Sequence, residues 1–122
     1  MNSTLKNAVI RKVGKEACKD IVNHGIDGGF SGFIYTADTC AFFRRHKAAI
    51  VELAEQMADD LGEGGVLEMI QGFKCVGKDY STSDIGKVLY GSWKDDDVHS
   101  QIGNAMAWFA AEEAAREQVG DN

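Results

Sequence analysis

No proline occurs in these 122 residues, so the commonest helix breaker is missing, and the 14 glycines are left to mark the ends of elements. Cysteine is scarce as well: Cys18, Cys40 and Cys75 are odd in number, far apart and not in a Cys-x-x-Cys arrangement. That pattern speaks against a disulfide framework or a zinc knuckle and favours a reducing, cytoplasmic compartment. No stretch approaches eighteen consecutive apolar residues, and Lys6, Arg11 and Lys12 interrupt the only place for a leader, so neither a membrane span nor a signal peptide is expected. The three histidines, His24, His46 and His99, lack the i, i+4 spacing of a helical metal pair, and no metal or cofactor is expected.

Basic residues are in deficit, 13 against 19 acidic, for a formal net charge of −6. A surface built for nucleic-acid phosphates needs clustered Lys and Arg, so direct nucleic-acid binding is disfavoured for the chain as a whole. The deficit is uneven. Residues 1–24 carry five basic and two acidic side chains, whereas residues 25–122 carry eight basic and seventeen acidic. A basic N-terminal arm on an acidic body is the clearest charge pattern.

What is abundant is helical periodicity. The length suits one domain with one core, and the expected fold is mainly α: a compact bundle of five to six helices. Residues 25–62 look like the organising stretch, a glycine-rich lead-in followed by the longest amphipathic segment. In that segment Phe43, Ile50, Leu53, Ala54, Met57 and Leu61 recur at largely three- and four-residue intervals. Arg44, Arg45, His46 and Lys47 would sit near the positive end of a single long helix. A break around His46 removes the conflict by placing these cations at a helix end, with a second helix over 47–61.

The other elements follow from caps and stripes. Ser3 or Thr4 caps a first helix running to about Asn23, with Ile10, Val13, Ala17 and Ile21 inside and Lys12, Lys15 and Lys19 outside. Residues 66–70 read as a short buried turn of helix. A two-stranded ribbon between Phe33-Ile34-Tyr35 and Phe73-Lys74-Cys75-Val76 is the structural alternative. Ser81-Thr82-Ser83-Asp84 opens a helix that Gly91 closes. Asp95, Asp96 and Asp97 suit the first turn of a last helix reaching about Gln118, with a stripe of Val98, Ile102, Ala105, Met106 and Phe109. Trp108 lies at the edge of that stripe. As neighbours, Trp108 and Phe109 cannot both face one core at the same angle, which leaves a protein interface or a homodimer open.

Catalytic patterns are thin. Cys40 near a helix N-terminus with His46 downstream is a conceivable nucleophile and base, but the two positions fall on different sides of one helix. The run Ser83-Asp84-Ile85-Gly86-Lys87-Val88-Leu89-Tyr90-Gly91 looks like the first half of a helix-turn-helix, yet the next helix would present Asp95, Asp96 and Asp97 to phosphates.

Through Gly29-Phe30-Ser31-Gly32-Phe33, Tyr35-Thr36, Phe42-Phe43, Leu67-Glu68-Met69-Ile70 and residues 104–113, the sequence resembles a family of small uncharacterised proteins of bacteriophages and other mobile elements. The likeness spans roughly residues 20–118 and carries folding signals rather than catalytic ones. It implies a setting: a non-enzymatic inhibitor of host defence, including the anti-CRISPR class, acting by binding an effector complex. In that reading carboxylates occupy a basic surface meant for phosphates. Asp95, Asp96 and Asp97 beside Trp93 form the leading patch, and Asp59, Asp60 and Glu63 the second. The alternative is a small DNA-associated regulator using the basic first helix and the degenerate helix-turn-helix.

Overall fold

The computed structural model describes residues 1–25, 36–57, 82–91 and 96–120. They form five helices: α1 (Ser3–Val13), α2 (Ala17–His24), α3 (Thr36–Met57), α4 (Thr82–Tyr90) and α5 (Asp97–Gly120). The fold is mainly α and, among the described residues, contains no strand. The expected ribbon, the short helix over 66–70 and most of the glycine-rich lead-in lie outside the described residues.

The basic arm is two helices rather than one. Asn2, not Ser3 or Thr4, caps α1: its side-chain oxygen accepts from the amides of Thr4 at 2.8 Å and Leu5 at 3.2 Å. Gly14 then ends α1 with φ +89° and ψ 146°, and its amide donates to the Ile10 carbonyl at 2.7 Å. Gly25 repeats the device after α2, with φ +77° and ψ 161°. That corner of backbone space is essentially reserved for glycine. The break resets the helical phase, so the inner residues are Leu5, Val9 and Val13 at intervals of four, then Cys18 and Ile21, while Ile10 and Ala17 are only partly buried.

α3 kinks at His46, whose φ −111° and ψ +19° are not helical, as the charge conflict predicted. Its inner face carries Phe43, Ile50, Leu53 and Ala54. Two hydrogen bonds tie α4 to it: Lys47 Nζ to the Gly91 carbonyl at 3.3 Å and the Tyr90 hydroxyl to Glu55 Oε1 at 2.6 Å.

The bundle is organised around α5, not around residues 25–62. This helix of 24 residues, roughly 36 Å long by its rise, is packed by α1, α2, α3 and α4. Every residue from 102 to 111 is buried. Six of its alanines, Ala105, Ala107, Ala110, Ala111, Ala114 and Ala115, have no exposed surface, so neighbouring helices reach its backbone closely. The expected one-sided stripe is therefore too narrow. Trp108 and Phe109 are both buried, at 8% and 5% exposure, because α5 is surrounded. An interface at Trp108 is not needed to explain the pair. The helix also runs past Gln118 to Gly120, with Val119 against the core. None of the described helices is long and apolar enough to cross a membrane.

Candidate ligand-binding groove

A groove of about 490 Å³ runs between the outer faces of α1 and α3. On α1 its residues are Thr4, Ala8, Arg11 and Lys12, spaced i, i+4, i+7 and i+8 and hence on one side of the helix. On α3 they are Ala41, Phe42, Arg45 and His46. The two alanines leave the space open. The inner faces of both helices pull apolar side chains toward α5, and the same periodicity turns these residues outward.

The groove is cationic. Arg11, Lys12 and Arg45 are exposed, and neither Arg11 nor Arg45 takes part in an ion pair among the described residues. His46 is half-buried, its ring centroid 4.7 Å from that of Phe42 at an interplanar angle of 44°. Partial burial, with Arg45 and then Arg11 adding repulsion, pushes the His46 pKa below the ordinary histidine value. Arg11 and Lys12 lie in the last turn of α1, and Arg45 just precedes the kink in α3. Each helix end contributes about half a negative charge. The end of α1 offsets at most about half of one positive charge, and Arg11 and Arg45 keep the groove cationic, which suits an anion.

Lys15 and Lys19, expected to share one basic face with Lys12, do not. The break at Gly14 puts Lys15 in the turn, beside Glu16 and Asp20, and moves Lys19 onto α2. Arg11, Arg45 and His46 replace them as neighbours of Lys12. The signal for this lay in the cation run over 44–47, which helix polarity explains as a helix end and which in space is also a wall of the groove.

Of the expected acidic patches, Trp93, Asp95, Asp59, Asp60 and Glu63 lie outside the described residues. Asp97 opens α5, as its charge suits. Asp96 is committed to its own helix. Its carboxylate accepts from the His99 amide at 2.8 Å and meets His99 Nδ1 at 2.7 Å, while the His99 ring is buried. A carboxylate there caps the helix and holds the imidazole proton on Nδ1.

The nucleophile reading through Cys40 and His46 loses its geometry. Cys40 is buried toward α5, donating to the Ser100 carbonyl at 3.0 Å, while His46 lines the α1 side. Burial raises the Cys18 thiol pKa, partly offset by Lys6, which keeps that thiol unreactive near neutrality. Among the described residues no three His, Cys, Asp or Glu side chains gather in a way that could hold a metal ion. For a helix-turn-helix over α4 and α5, the stretch of α5 buried from 102 to 111 offers no face to a DNA groove, which leaves only the residues before it for such a contact.

A family model for a domain of unknown function, DUF7222, matches residues 1–121. The chain belongs to the DUF7222 family. No curated protein and no solved structure matches it significantly. Membership of DUF7222 thus covers the groove and the bundle together, and its description assigns them no activity.

Proposed function

We propose that this DUF7222 protein is a non-enzymatic binding protein that engages and inhibits a host-defence nucleoprotein complex, a setting implied by its resemblance to small uncharacterised proteins of mobile elements. The observation that supports the reading is segregation of charge. Cations from two helices line one groove, while the acidic excess of the chain belongs to residues 25–122. A nucleoprotein surface offers both complements, phosphates for the groove and Lys/Arg surfaces for the carboxylates. With Asp96 committed as a cap, the acidic contact falls to Asp95 and Asp97 beside Trp93, and to Asp59, Asp60 and Glu63.

The test is an affinity pull-down from bacterial lysate, with and without nuclease, comparing the natural chain with the double reversal Asp95→Lys/Asp97→Lys. Asp96 is left in place so that α5 keeps its cap. A nucleic-acid-handling complex retained through nuclease treatment and lost on reversal is the expected result. Equal retention by both chains would remove the acidic patch from the account, and recovery of nucleic acid alone would remove the protein partner.

A further inference from the structure

The groove contains more than an oxyanion needs. A bare phosphate is held by two or three cationic donors, yet this site adds a pair of tilted rings, Phe42 and His46, and a volume of about 490 Å³. That volume falls within the usual range for small-molecule sites, roughly 300 to 1,000 Å³. Two guanidinium groups, from Arg11 and Arg45, offer planar bidentate donors for phosphate oxygens. The half-buried aromatic edge beside them offers an apolar surface for a flat base. Thr4 adds a hydroxyl at the same wall.

We propose that the α1–α3 groove binds one nucleotide unit, its phosphate between Arg11 and Arg45 and its base against Phe42 and His46. The proposal rests on the nucleoprotein reading above and assigns its phosphate contact to one place. A duplex is disfavoured because its base faces are stacked and hidden, whereas a free nucleotide or an unpaired strand exposes them. The overall charge of −6 does not prevent this. At physiological salt, charges beyond about 8 Å are largely screened, so the groove cations in contact with the ligand dominate.

The experiment titrates the full-length chain with inorganic phosphate, with adenosine and thymidine monophosphates, with an unpaired oligonucleotide and with the corresponding duplex. The mononucleotides and phosphate are followed by His46 ring and arginine side-chain NMR shifts, the oligonucleotides by fluorescence anisotropy. Nucleotides should bind more tightly than phosphate. Arg11→Gln and Arg45→Gln should each weaken nucleotide binding by roughly tenfold, the scale of a lost charge-assisted hydrogen bond. Phe42→Leu should weaken nucleotides while leaving phosphate binding unchanged, which also reports that the groove has kept its shape. Lys19→Gln, away from the groove, should change nothing. A strand that binds more tightly than the monophosphates identifies nucleic acid as the source of the ligand; equal affinity identifies a free nucleotide. Phosphate binding as tightly as nucleotides, tightest binding by duplex, or nucleotide affinity untouched by the arginine substitutions would each overturn the proposal. Loss of nucleotide binding alongside an intact, reversal-sensitive pull-down would sink this inference and spare the broader function.

Discussion

Along α5 the residues from 102 to 111 are all buried, and the helix touches every other described helix. Along α3 the environment changes from one residue to the next: Phe43 has no exposed surface, while Phe42 is only partly buried against the core and turns its remaining surface to the groove. α5 is made for contact on all sides by its small residues, and α3 divides its bulk between the core and a ligand-sized space. In this bundle a helix is central because its residues are small enough for neighbours to close around it, not because its apolar stripe is the longest.

The adjacent phenylalanines give the largest test of that contrast. Phe43→Ala should lose about 3 to 5 kcal/mol, the usual cost of emptying a sealed aromatic site. Phe42→Leu, a modest change at a half-exposed wall, should cost less than about 1.5 kcal/mol. Chemical denaturation of both variants measures the two values. Similar costs would mean that Phe42 belongs to the core and that the groove wall is structural.

A smaller effect is expected from placing one substitution in both regions. Ala111→Leu inserts three carbon atoms where α5 is fully enclosed and should destabilise by about 1 to 3 kcal/mol through overpacking. Ala41→Leu, on an exposed position of α3, should stay within about 0.5 kcal/mol of the natural chain. It should nevertheless fill the groove and lower nucleotide affinity. Thermal melts and the nucleotide titration separate the two outcomes. A neutral Ala111→Leu would show that α5 has room on one side.

The same contrast explains how much could be read in advance. The α class, the opening and closing of α4, the acidic start of α5 and the kink at His46 all follow from local causes: caps, glycine and helix polarity. The α1–α2 break is not legible in the sequence because Gly14 within an apolar stripe looks like a tolerated helical glycine, and only its +89° φ makes it a terminator. The centrality of α5 is not legible either, because alanine contributes little to an apolar stripe yet decides how closely helices pack. The groove depends on two helices meeting across about thirty intervening residues, and no spacing along the chain encodes that meeting.

The smallest expected effect is a pH dependence centred on His46, which faces Arg11 from α1 and Arg45 on its own helix, with Lys12, Arg44 and Lys47 nearby in the same charged region. Its pKa is lowered in the folded chain, so below the ordinary histidine value near 6.5 the unfolded chain takes up the proton first. The histidine contribution to stability is therefore fully present above that value and declines as pH falls toward the folded pKa. A phosphate in the groove reverses the balance locally, because it favours the imidazolium and raises the histidine pKa. Nucleotide affinity should accordingly increase as pH drops from 7.5 toward 6, a window bracketing the roughly 6.5 of an unperturbed histidine, while the ligand-free chain becomes slightly less stable over the same range. In His46→Gln both slopes should flatten, leaving only the titration of the ligand phosphate, which a methyl phosphodiester probe removes. If affinity still rises on acidification for that probe and that variant, the proton is taken up elsewhere and His46 does not sense the charge of the bound phosphate.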